Sequence, residues 1–211
     1  DWLWQVTATP DDKPAIAMVR INDAKNSHHY YLAQWDGNQW QKTYLADAGT
    51  HFHQTPNIEK CYSGGLAIDP ANSKDIYCSV PVEGANGKCY EIVKYSVQAD
   101  GSVRSTPVTV NSEKNNARPY VIPGSEASPL RLIWMHGDYY DWIVSRQRPG
   151  YPTAIWADYI APTVKADTQK KLLDGKKRQS FAGKRKLGDF SLVVDVKQQD
   201  GAYPQTLLAI G

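Results

Sequence analysis

The sequence predicts an all-β protein, a partial β-propeller of about three four-stranded blades over residues 1–160, followed by the first strands of a jelly-roll-like domain. Three observations carry this reading. Short segments rich in β-branched and aromatic residues recur in modules of roughly 45 to 65 residues, the size of a propeller blade. An Asp-Gly turn at Asp36-Gly37 returns at Asp100-Gly101, 64 residues further on. The pair Gly64-Gly65 opens a short apolar strand that the turn Asp69-Pro70-Ala71-Asn72 folds back onto Asp75–Val80, the pattern of a β-hairpin.

The elements follow in order. Ala15–Ile21, His28–Trp35 and Gln39–Leu45 read as strands of a first module, the last two joined by an Asp-Gly hairpin turn flanked by Trp35 and Trp40. Gly65–Ile68, Asp75–Val80, Cys89–Val97 and Val103–Val110 form a second module. Pro119–Ile122, Leu130–His136, Tyr140–Arg146 and Thr153–Tyr159 form a third. Propellers close with at least about four blades, so the missing blades are expected from the rest of a parent chain or from a partner chain. Residues 161–187 read as a basic linker interrupted by Gly175 and Gly183. Within residues 188–211, the alternating strand Gly188–Val196 and the strand Thr206–Gly211 resemble the opening of a laminin-G or concanavalin-like sandwich.

Composition narrows the function classes. With 211 residues, 41% of them hydrophobic, the chain is a globular protein rather than a disordered one. Tyr (13) and Trp (7) outnumber Phe (3); such amphipathic rings suit sugar stacking, although they are also good strand residues. The net charge of +2 is unevenly placed: Lys165–Leu187 holds nine Lys or Arg against two acids, leaving −5 elsewhere. That run contains one aromatic, Phe181, so it lacks the interleaved stacking residues of a nucleic-acid surface, and no nucleic-acid partner is expected. No apolar run is long enough to span a membrane, and Asp1-Trp2-Leu3-Trp4 reads as a mature or truncated chain end.

His53, Cys61, Cys78 and Cys89 lie within 37 residues and could supply a closed, structural zinc site of Cys₃His type, with His51 as a substitute for His53. Zinc-finger spacings are absent. The alternatives are a Cys78–Cys89 cross-strand disulfide with one free thiol, or three inert core cysteines. Asp138, Tyr139, Tyr140, Asp141 and Trp142 make a carboxylate-and-aromatic loop of a kind that lines sugar clefts, and also read as a hairpin turn. Asp69 is expected to cap backbone amides of its turn.

The segment Tyr62-Ser63-Gly64-Gly65-Leu66-Ala67-Ile68-Asp69-Pro70 resembles the bacterial neuraminidase-like repeat propellers that include ulvan lyases and related rhamnose–glucuronate lyases. The resemblance covers residues 14–158. It implies a secreted, periplasmic or cell-surface enzyme acting on an acidic polysaccharide by β-elimination at a uronate, or a related glycoside hydrolase. It also implies a structural zinc with His and Cys ligands. Such lyases need a cation for the uronate carboxylate, a base for the C5 proton and an acid for the leaving oxygen. The matching positions are His28 or His29, Tyr62, and Arg118 in Asn116-Ala117-Arg118-Pro119. His136 stands where relatives often carry Arg, and is expected, with Tyr139 and Trp142, to bind substrate. An Arg expected near Asp75–Val80 is replaced by Cys78, Ser79 and Val80. The competing reading is a non-catalytic carbohydrate-binding or adhesion module.

Overall fold

Among the described residues the polar–apolar alternation resolves into eleven β-strands and no helix. The computed structural model describes residues 1–22, 24–52, 62–138 and 153–159, all within one compact unit, Asp1–Thr163. The expected linker at 161–187 and the jelly-roll strands at 188–211 lie outside the described residues, as do His53, Cys61, Tyr139, Trp142 and the expected strand Tyr140–Arg146.

Strands β1 (Trp2–Ala8), β2 (Pro14–Asn22), β3 (Ser27–Trp35) and β4 (Trp40–Gly49) form one antiparallel meander in chain order. Strands β5 (Leu66–Asp69), β6 (Asn72–Gly84), β7 (Gly87–Val97) and β8 (Val103–Pro107) form a second. A third consists of β9 (Asn116–Val121), β10 (Leu130–Gly137) and β11 (Thr153–Tyr159). None of the sheets is closed. Residues 2–8, read in the sequence only as a chain end, supply the first strand of the first sheet. In the third sheet, β10 is flanked by β9 and β11, with Gly137 opposite Thr153.

The turns explain why neighbouring strands pair locally. Asp36 accepts the backbone N–H groups of Asn38 and Gln39, each at 2.8 Å, and Gly37 takes the positive φ of 108° that the hairpin needs. Trp35 and Trp40 close this hairpin edge-to-face at 5.7 Å. The later Asp-Gly turn repeats the device, with Ser102 N–H donating to Asp100 at 2.9 Å. Asp69 accepts Ala71 N–H at 2.9 Å, as its turn position requires, and its other oxygen pairs with Arg131 of β10.

Packing puts the second sheet in the middle. One cluster joins Ala17, Val19, Tyr30 and Leu32 of the first sheet to Leu66, Ile68, Ile76 and Cys78 of the second. Another joins Ala67 and Ile92 of the second to Val121, Leu132 and Trp134 of the third. Strand β5 is thus buried at all four positions, because alternate side chains point into the two different clusters. Each fully buried Leu or Ile contributes about 1.5–3 kcal/mol, which is why this short strand can anchor two interfaces. Strand β5 also contacts both β1 and β9, so the first strands of the three sheets are neighbours.

Candidate functional site

The three sheets converge on bare backbone at Gly64-Gly65. A side chain on Gly64 would run into Ser79, whose Cβ lies 2.7 Å from the position a Cβ would take. At Gly65 the φ is +103°, and a Cβ would lie 2.7 Å from Cζ2 of Trp4 and 3.4 Å from Cα of Arg118. Only glycine fits both places. The exposed backbone groups are then used as connectors. Gly65 N–H donates to the Tyr30 hydroxyl at 2.9 Å, and that hydroxyl donates to Ser79 C=O at 3.0 Å. Ser79 N–H donates to Gly65 C=O at 2.9 Å, Ser79 Oγ donates to Asn116 C=O at 2.6 Å, and Arg118 N–H donates to Gly64 C=O at 2.6 Å. Tyr30 is fully buried, and burial pushes its hydroxyl pKa well up, so it serves as a neutral linker.

Arg118 is held on this hub in an unfavourable backbone conformation. Its φ is +56°, a left-handed value that a non-glycine residue adopts at a cost of about 1–3 kcal/mol; the following Pro119 would otherwise favour an extended backbone here. The register of β9 against β10 shifts across Arg118 and Pro119, a bulge that re-aims the side chain. Its guanidinium lies 4.6 Å from the Trp4 ring centroid and 5.5 Å from that of Tyr62, within cation–π range. Trp2 packs on Tyr62 at 5.2 Å and on Trp4 at 6.4 Å. The Arg118 guanidinium thus lies against two aromatic rings, with Trp2 of β1 packed on both of them.

The structure therefore brings Tyr62 and Arg118 together and deals differently with the two histidines. His28 points inward on β3, on the same face as Tyr30, and is 1% exposed. His29 is on the other face, 6.0 Å from the Tyr44 ring. Strand alternation separates the adjacent pair in this way.

Of the zinc candidates, Cys78 and Cys89 are both free thiols. Cys78 is opposite Val93 and Cys89 is opposite Val82, four ladder positions apart, or about 13 Å at roughly 3.3 Å per residue. That separation is too long for a disulfide and for two ligands of one tetrahedral ion. Sequence reasoning placed them together because they are on consecutive strands; the register of β6 against β7 decides otherwise. Burial pushes both thiol pKa values up, as in unreactive core cysteines. His51 Nδ1 is 3.5 Å from Asn26 Oδ1.

His136 belongs to a different place. It lines a cleft of about 580 Å³ with Asn111, Ser112, Glu113, Lys114, Thr153 and Trp156. Its ring stacks on Trp156 at 3.7 Å with planes 17° apart, and its Nδ1 lies 2.8 Å from Asn116 Oδ1. Asn116 is fully buried. Its Oδ1 also accepts the Trp134 indole N–H at 2.9 Å, and its Nδ2 donates to Glu91 at 3.0 Å and to Ser112 Oγ at 2.9 Å. Glu91 further accepts from Ser112 N–H at 2.7 Å, from Ser112 Oγ at 2.8 Å and from the Thr109 hydroxyl. Partial burial and the neighbouring Lys114 lower the pKa of His136, against an opposing pull from Glu91 and Glu113.

Sequence reasoning missed Trp2 and Trp4, because a chain end offers no strand neighbours to read. It also missed the Glu91–Asn116 network, which assembles residues from two sheets. No protein-family model, no curated protein and no solved structure matches the chain.

Proposed function

We propose that this chain is part of a carbohydrate-active β-propeller that cleaves a uronic-acid polysaccharide by β-elimination. The observation that carries the reading is Arg118, kept in a costly backbone conformation that holds its guanidinium over Trp4 and Tyr62. Backbone strain concentrated at a cationic, aromatic-walled position is characteristic of functional sites. The propeller reading draws support from up-and-down sheets stacked face to face with their first strands adjacent.

In this mechanism Arg118 pairs with the uronate carboxylate and stabilises the negative charge that develops when the C5 proton leaves. The electron pair of that C–H bond forms the C4–C5 double bond, and the C4–O bond to the leaving sugar breaks. Tyr62, beside Arg118, serves as both base and acid: its ionised phenol oxygen takes the C5 proton, and the phenol so formed passes that proton to the departing oxygen. Trp2 and Trp4 stack on apolar faces of the sugar rings. His28, almost fully buried on β3, does not touch the sugar. Such a substrate fits a secreted, periplasmic or cell-surface setting.

A second reading, a non-catalytic sugar-binding module, is favoured by the exposed rings of Trp40, Tyr44, Tyr120 and Trp156. The test is incubation with ulvan, gum arabic and pectin while following the ultraviolet absorbance of the unsaturated uronate. The lyase reading expects a rise that Arg118→Ala and Tyr62→Phe both abolish, with Tyr62→Phe retaining polysaccharide binding. Binding without any absorbance change, unaffected by Tyr62→Phe, supports the module instead.

A further inference from the structure

We propose that the cleft between β10, β11 and residues 111–114 is a binding site for an uncharged pyranose sugar, in which His136 is a fixed hydrogen-bond acceptor and the His136–Trp156 stack is the platform. The site is separate from Arg118 and does not depend on the reaction assigned to it.

The role of His136 follows from the hydrogen-bond chemistry behind it. The Trp134 indole N–H can only donate, so the atom of Asn116 that it meets is the amide oxygen. That same oxygen lies 2.8 Å from His136 Nδ1, which must therefore carry the proton. In the neutral ring Nε2 is then an acceptor, on the side of the imidazole away from Asn116. Asn116 cannot readily turn its amide over, because its nitrogen is engaged by Glu91 and Ser112. The tautomer is thus set by a buried chain running from Glu91 through Asn116 to His136. Partial burial and Lys114 favour the neutral ring.

The chemistry of the remaining wall selects the ligand class. Trp156 is 48% exposed although one ring face is covered by His136. A flat aromatic surface of this kind suits the C–H face of a pyranose. Lys114 and Glu113 offer a donor and an acceptor with cancelling charge, and buried Glu91 stands behind them, so the described lining residues present no excess positive charge for a phosphate or carboxylate. An alkyl ligand would cover Glu113, Lys114 and Nε2 of His136 without offering them hydrogen-bond partners. The volume is of the size that small-molecule sites have.

The experiment is a titration of the isotopically labelled full chain with methyl glucopyranoside, and separately with methyl glucuronoside, followed by nitrogen–proton NMR. The expected result is a shift of the Trp156 indole and the His136 ring signals with the neutral glycoside, equal or weaker binding of the charged one, and a His136 ring protonated at Nδ1 only in the absence of sugar. Trp156→Ala, on an exposed edge position, should remove the response. His136→Phe, which keeps a stacking ring and loses the acceptor, should weaken binding by about tenfold, the worth of one hydrogen bond. The proposal is overturned if neither glycoside moves these signals, if the glucuronoside binds more tightly, or if Nε2 rather than Nδ1 carries the proton.

Discussion

Replacing Gly65 by alanine tests whether the three sheets meet as described. Two costs are expected. The φ of +103° carries a backbone penalty of about 1–3 kcal/mol for any residue with a Cβ. The new methyl would also lie 2.7 Å from the Trp4 ring and 3.4 Å from Arg118 Cα, and over-packing of this kind costs about 1–3 kcal/mol more. Gly37 supplies the control. Its φ is +108°, almost the same, yet nothing lies within 4 Å of where its Cβ would stand. Urea unfolding of the two variants should therefore show Gly65→Ala less stable than Gly37→Ala by about 1–3 kcal/mol, the steric part alone. Combining Gly65→Ala with Trp4→Phe, which removes the colliding part of the indole, should recover most of that difference in a double-mutant cycle. Equal losses for the two alanine variants would falsify the close approach of Trp4 to Gly65, and with it the argument for the Gly-Gly pair.

Two further outcomes are expected. Cys78 and Cys89 should both be found as free thiols by non-reducing peptide mapping, and Cys78, fully buried with its pKa raised, should react with thiol reagents only on unfolding; a Cys78–Cys89 crosslink would mean that the register of β6 against β7 is wrong. His136 has a folded pKa below its ordinary value of about 6.5, so the unfolded chain binds more protons around that pH and stability rises with pH there. The contribution of His136 should be complete above pH of about 6.5 and decline as the pH falls through that value, and His136→Phe should flatten this part of the thermal-stability profile; an unchanged slope would refute the assignment.

Much of the fold was legible because its signals are local. The Asp-Gly turns at Asp36 and Asp100 form their own hydrogen bonds within a few residues, and the alternation of β3 marks its buried face without reference to any other strand. What depends on register was not legible. Cys78 and Cys89 lie on consecutive strands, yet four ladder positions separate them, and no sequence spacing encodes that offset. The site was legible in halves. Tyr62 and Arg118 came from a resemblance and do lie together, whereas Trp4 earns its place only through contact with residues about sixty and more than a hundred positions away. The Gly-Gly pair could be read as a strand opening, but its reason, a backbone squeezed between Trp4, Ser79 and Arg118, exists only in three dimensions.

The hydrogen bonds at Gly64-Gly65 also bear on how the chain folds. Each sheet is a meander whose strands pair with their sequence neighbours, so it closes short loops and can form early. The bonds from Tyr30 to Ser79, from Gly65 to Tyr30 and from Ser79 to Asn116 instead span 49, 35 and 37 residues, and they form only once the sheets have docked. Arg118 acquires its place over Trp4 at that same step. The cluster of Arg118, Trp4 and Tyr62 is thus a product of the long-range stage of folding: a chain with all its hairpins made, and near-native strand content, would still lack it.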